Sequence, residues 1–182
     1  MKRDFGLKQG DRYLPEALSG VARNHVASFD YFLDHGLADV VRCLDIIGIQ
    51  PSEAKNRSSR LKLWVENVSI GRPSKEDTGI VRACDPRVFP RECRESSSTY
   101  KAPMSAAIAW TFGDVGAISR RNFRICMFPV MVASKACNLS GFSQEELISR
   151  GEEGHEMGGY FILNGIERII RLLVQQRRHY IM

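Results

Sequence analysis

Seven apolar side chains, Tyr100, Ala102, Met104, Ala106, Ile108, Trp110 and Phe112, occupy every second position of one stretch without a break. Successive residues of a strand point to opposite faces, so this run reads as a strand with one buried side. Pro103 cannot donate to a central ladder, so either the strand lies at a sheet edge or the proline sits at its start. Gly113 and Gly116 break the run. A second alternation follows over 121–131, with Phe123, Ile125 and Met127 inward, Arg124 outward, and Pro129 interrupting before Val130, Met131 and Val132. A third begins with Leu61, Leu63 and Val65 and then shifts parity to Val68 and Ile70. Such a one-residue shift predicts a bulge near Glu66 and Asn67.

Helical signals flank these strands. Phe29, Phe32, Leu33, Leu37, Val40, Val41 and Leu44 recur at three- and four-residue spacing, which predicts an amphipathic helix starting at Ser19 or Asn24. Gly36 inside it predicts a kink or a break into two helices, and Gly48 with Pro51 ends it. His25 and His35 read as helix-surface or boundary residues. Residues 1–18 read as a flexible lead-in, 52–60 as a polar linker and 86–94, with its prolines, as loop. Ser143 and Glu146 form a capping-box pattern that starts a short helix. Asn164-Gly165, between two apolar runs, predicts a tight hairpin, because a type I′ turn needs positive φ at both central residues. The second run, 166–174, also fits a helical period, and the turn favours strand. The hairpin needs a sheet partner, for which 100–112 or 121–132 is the natural donor. The expected class is α+β: one long N-terminal helix, antiparallel strands and a C-terminal β-hairpin.

Composition narrows the function. With 182 residues, 43% apolar and 26% charged, the chain reads as ordinary globular protein. No stretch approaches the ~18–20 apolar residues of a membrane span, and the N-terminus lacks the apolar core of a secretory signal. Five cysteines with no C-x-x-C pair read as free thiols in a reducing compartment. A net charge of +5 permits contact with a polyanion without demanding it. No phosphate-cradling loop, nucleophile elbow or dinucleotide fingerprint occurs. Two-metal phosphoryl transfer needs clustered acids, whereas Asp39, Asp45, Asp77, Asp85 and Asp114 are scattered. Glu152, Glu153 and Glu156 lie on a Gly-rich segment and read as a solvated face. No catalytic and no metal-ligating residue is assigned. Trp64 and Trp110 read as core.

Five blocks in order carry a resemblance: His25-Val-Ala-Ser-Phe-Asp-Tyr-Phe-Leu-Asp-His-Gly-Leu37, Val88-Phe-Pro-Arg-Glu-Cys-Arg94, Thr99-Tyr100, Pro129-Val-Met-Val-Ala-Ser-Lys-Ala-Cys-Asn-Leu139 and Glu156-Met-Gly-Gly-Tyr-Phe-Ile-Leu-Asn-Gly-Ile-Glu-Arg168. The chain resembles the second-largest subunit of multi-subunit DNA-directed RNA polymerases, and Gln176-Arg177-Arg178 tilts the match toward the polymerase I form. The stretch 50–85 matches weakly, and His179-Tyr180 departs from the family's usual residues. The resemblance implies that residues 19–182 form the first part of the protrusion domain, one wall of the DNA cleft, before the inserted lobe. It implies a fragment of a nucleotidyltransferase subunit that is itself inactive. In the assembled enzyme magnesium is held by aspartates of the largest subunit, and zinc is bound beyond this chain. The implied partners are the largest and other polymerase subunits and the DNA template, without a membrane, in the nucleus and nucleolus, for rRNA transcription.

Arg168, Arg171, Arg177 and Arg178 are the candidate nucleic-acid contacts, because guanidinium forks suit phosphate oxygens without reading sequence. The solvent face of a strand, or pairing with Glu167, is the alternative for Arg168 and Arg171. Two rival functions stand beside this reading: an independent basic α+β nucleic-acid-binding module, and a protein-interaction fragment whose hairpin edge finds a partner strand.

Overall fold

The computed structural model describes residues 13–49, 61–75, 85–113 and 116–171, with 13–19 by backbone alone. The helix α1 (Tyr13–Tyr31) starts ahead of the Ser19 expected from the apolar pattern. The expected irregularity at Gly36 takes the form of a π-turn, Phe32–Gly36, in which the Leu37 N–H donates to the Phe32 carbonyl. α2 (Leu37–Arg42) then resumes the ordinary pitch. Gly36 lies so close under Phe32 that an added Cβ would sit 3.1 Å from the ring. Phe29 and Leu37 are buried, but Val40 and Leu44 at the end of the same stripe are exposed. The last turn runs past the core it was expected to cover.

Four antiparallel strands form one sheet: β1 (Ile47–Ile49), β2 (Leu61–Ile70), β3 (Lys101–Phe112) and β4 (Ser119–Pro129), neighbours in that order. β3 is therefore internal, and Pro103 is tolerated because pairing with β2 begins only at Met104 opposite Ile70. The bulge expected in β2 is present: Val65 faces Ile108 and Asn67 faces Ala107, leaving Glu66 between them.

A second bulge was not legible. Met104 faces Cys126 while Ser105 faces Arg124, so Ile125 has no opposite number. The extra residue reverses the parity of β4. Phe123 shares its face with Cys126 and Phe128, whereas Met127 falls on the face of Arg124. The expected inward set of Phe123, Ile125 and Met127 is thus corrected, and Ile125 is 57% exposed.

The core lies at one end of the sheet. Tyr100, Ala102, Val130, Val132, Cys137, Leu139 and Ile162 are buried together with Phe89, Cys93 and Leu147. Each large apolar side chain removed from water there contributes about 1.5–3 kcal/mol. Phe89 and Cys93 come from a segment expected to be loop. It contains α3 (Pro90–Glu95), whose first turn uses the fixed φ of Pro90 and a bond from the Phe89 N–H to Glu92 Oε2 of 3.1 Å. α4 (Gln144–Ser149) has the expected capping box. The Ser143 N–H donates to Glu146 Oε2 at 2.7 Å, and the Glu146 N–H donates to Ser143 Oγ.

The hairpin forms as expected from β5 (Phe161–Leu163) and β6 (Ile166–Arg168), with φ of 52° at Asn164 and 76° at Gly165. It is not a fifth strand of the main sheet but a separate two-stranded ladder. Its ties to the expected donors are isolated bonds, Tyr100 N–H to Ile162 O at 3.0 Å and Val132 N–H to Tyr160 O at 2.9 Å. Strand structure ends at Arg168, and 172–174 lie outside the described residues.

Candidate nucleic-acid interface

The hairpin carries two of the four candidate arginines to the surface. Arg168 stands opposite Phe161 at the end of β6, and Arg171 follows beyond the exposed Ile169 and Ile170. Both arginines are exposed and make no ion pair with another described residue. Arg177 and Arg178 lie outside the described residues. Glu167, the sequence-level alternative partner, is engaged elsewhere: its Oε1 accepts from Arg94 Nη1 at 3.2 Å.

Arg94 is the anchor of this region, and its role was not legible from spacing. From α3 its Nη2 donates to Glu152 Oε2 at 2.5 Å and lies 3.8 Å from Glu156 Oε2. The other Glu152 oxygen accepts the Arg91 N–H at 2.7 Å, in the first turn of α3. Burial pushes the Arg94 guanidinium down, but the Glu152 hydrogen bond, the Tyr160 hydroxyl and the carboxylates outweigh it and hold it above its ordinary value. The carboxylate of Glu152 is wholly buried. The reading of Glu152 and Glu156 as part of a solvated acidic face is corrected, because their charges are turned inward to a single cation. The partners are 58 and 73 residues apart, which no local period reveals. Among the described residues, no three His, Cys, Asp or Glu are grouped to hold a metal ion.

The two faces of the sheet differ in kind. On one, Phe29 and Phe32 stack on Phe128 at centroid distances of 6.5 and 5.9 Å, so the helices cover the near half. Among the described residues no helix covers the far half: the half-buried Leu61, Leu63, Ile108 and Trp110, with the exposed Phe112 and Phe123, line a hollow of about 340 Å³. Register extends the same face to Ile47 and Ile49, both exposed. Trp110, expected in the core, is a wall of this hollow. The opposite face carries Lys62, Lys101, Arg120 and Arg124, with Arg120 Nε bonded to Glu66 at 2.9 Å. The alternation of β3 foretold one apolar side, but nothing in it showed that the covering would stop halfway. No described helix is long and apolar enough to cross a membrane.

The described residues thus form an α+β unit: a four-stranded sheet with one half-covered apolar face, beside a hairpin that leads to exposed arginines and is tied to α3 through buried acids paired with Arg94. Residues 20–177 match the family described as RNA polymerase beta subunit, and the chain belongs to that family. Within it, the chain is similar to DNA-directed RNA polymerase I subunit RPA2 of Mus musculus, 38% identical over 90% of this chain, and to that of Homo sapiens, 35% identical over 90%. DNA-directed RNA polymerase I subunit 2 of Arabidopsis thaliana is 32% identical over 90%. The chain spans about 14% of the length of the two mammalian relatives and 13% of the plant one.

Proposed function

We propose that this chain is a non-catalytic N-terminal portion of the second-largest subunit of RNA polymerase I, part of the protrusion that walls the DNA cleft during rRNA transcription. The observation that carries the reading is the collinear match of residues 20–177 to the polymerase subunit family, with polymerase I subunits among its relatives. The part of the apolar sheet face that no described helix covers, with Ile47, Ile49, Phe112 and Phe123 exposed, supports it, because a free-standing domain rarely exposes a large contiguous apolar patch. In this reading the face belongs against other parts of the polymerase. The arginines at 168, 171, 177 and 178 hold the sugar-phosphate backbone without reading bases. Magnesium and zinc of the assembled enzyme are bound outside this chain, the partners are the largest and other polymerase subunits with template DNA, and the setting is the nucleolus of the nucleus.

The test uses the purified chain and duplex DNA. No template-dependent nucleotide incorporation is expected. DNA binding should weaken steeply with salt and fall when Arg168, Arg171, Arg177 and Arg178 are all replaced by glutamine. Incorporation by the chain alone, or binding indifferent to the four substitutions, would overturn the assignment of roles. The same part of the apolar face also favours the protein-interaction reading. That reading differs in expecting capture of polymerase subunits with no effect of the four substitutions on the complex.

A further inference from the structure

β2 is an inner strand over its first residues only. β1 pairs with Leu61, Lys62 and Leu63, and past Leu63 no described strand lies on that side. Beyond the bulge at Glu66, Asn67, Val68, Ser69 and Ile70 keep an unbroken register with β3 on the other side. A strand edge of this kind presents a row of backbone donors and acceptors to an incoming chain. Along it runs a hollow of about 440 Å³, lined by residues 67–72 together with Leu33 of the π-turn, Leu37 of α2, Lys135 and Ala136. A strand edge and a helix that line one hollow offer the geometry in which an extended peptide adds to a sheet.

The lining specifies the occupant. Leu37 is buried, and Leu33, Val68 and Ile70 are half-buried, so one side of the hollow is apolar. Every second residue of an added strand turns to that side. Arg72 supplies the charge. It is exposed, its Nη2 donates to the Lys135 carbonyl at 3.3 Å, and it pairs with no described carboxylate. That one bond leaves the rest of the guanidinium fork for another acceptor. Lys135 is not available in the same way, because its Nζ is bonded to Asp34 and its N–H donates to Asp30 Oδ1 at 2.9 Å. These two acids are turned to Lys135, and neither lines the hollow. We propose that the open edge of β2 is a docking groove for an extended peptide of a partner protein, apolar at alternate positions and carrying a carboxylate at the end beside Arg72.

The inference does not rest on the polymerase reading, and its test is separate from it. A random-peptide library is selected on the immobilised full chain. Enrichment of sequences with apolar residues at every second position and a terminal-side Asp or Glu is expected. An enriched peptide should move the backbone amide NMR signals of Val68, Ser69 and Ile70. Arg72→Glu should weaken it by about tenfold or more, and a peptide with Lys in place of the acid should recover binding to that variant. Lys101→Glu, on the opposite face of the sheet, should bind as wild type does. No enrichment, equal affinity in wild type and Arg72→Glu, or signal changes confined to other elements would overturn the proposal. A concentration-dependent dimer of the chain that Arg72→Glu abolishes would assign the groove to a second copy, and would overturn it as well.

Discussion

Arg94 Nη2 and Glu152 Oε2 meet at 2.5 Å across 58 residues of chain, joining α3 to the Gly-rich segment that leads into the hairpin. Glu152 also accepts the Arg91 N–H, so one carboxylate serves both a cation and a helix start. Removing it would strand a partly buried guanidinium and an amide together. Glu152→Ala should cost about 3–5 kcal/mol, the range for breaking one side of a buried pair. Glu152→Gln, which keeps an acceptor for Arg91, should cost less. Urea denaturation of the variants checks the order, and equal losses would show that the charge is unimportant.

A second buried network surrounds Tyr100. Its hydroxyl accepts the Asn138 N–H at 3.0 Å and lies 3.4 Å from Cys137 Sγ. Asn138 Nδ2 donates to the carbonyls of Pro73 and Val88 at 2.8 and 2.7 Å. Tyr100→Phe leaves a buried N–H without an acceptor and should cost about 1–3 kcal/mol. Asn138→Ala uncovers two carbonyls at once and should exceed it. Denaturation midpoints of both variants test this ranking.

Asp85 sets part of the acid response. Both its oxygens accept from the Arg87 side chain, at 3.0 and 3.1 Å, and Arg150 lies 3.2 Å away. The Arg87 hydrogen bonds lower its pKa from 3.8 to about 2. A depressed carboxylate stabilises the fold above its unfolded value, and that contribution disappears as pH falls through the folded value. The pair should therefore lose its effect between about pH 4 and pH 2. Asp85→Asn should be less stable than wild type at neutral pH, with the gap closing across that window. A gap that stays constant down to pH 2 would remove Asp85 from the acid transition.

Thiol accessibility reports the packing directly. Cys43 and Cys126 are exposed, whereas Cys93 and Cys137 are buried. Burial pushes both inner thiols above their ordinary value, keeping them protonated and unreactive. Iodoacetamide at neutral pH should modify Cys43 and Cys126 in the native chain, and Cys93 and Cys137 only after denaturation. Peptide mass spectrometry separates the sites, and early labelling of Cys137 would contradict the described core.

The legible parts of the fold were those set by neighbours in sequence. The Asn164-Gly165 turn needs only its own two φ angles, the Ser143 cap only Glu146 three residues on, and the β2 bulge only a change of parity. The bulge at Ile125 left no such mark, because Phe123, Ile125 and Met127 keep their alternation in sequence while the ladder slips beneath them. α3 was hidden by the same prolines that suggested loop, although Pro90 at the first helical position favours a helix. The candidate site divides in the same way. Arg168 and Arg171 could be named from the hairpin, but Arg94 and Glu152 depend on a pairing fixed by the folded chain.

The π-turn at Phe32–Gly36 acts as a phase adjuster. It absorbs an additional residue between α1 and α2, so side chains on either side keep an alignment that a uniform α-helix of this sequence would lose. Deleting one residue there would swing one helix relative to the other by roughly 100°, the angle of one α-helical step. Phe29 could then no longer lie on Phe128 while Leu37 stayed buried. Length, more than side-chain identity, is what this turn protects.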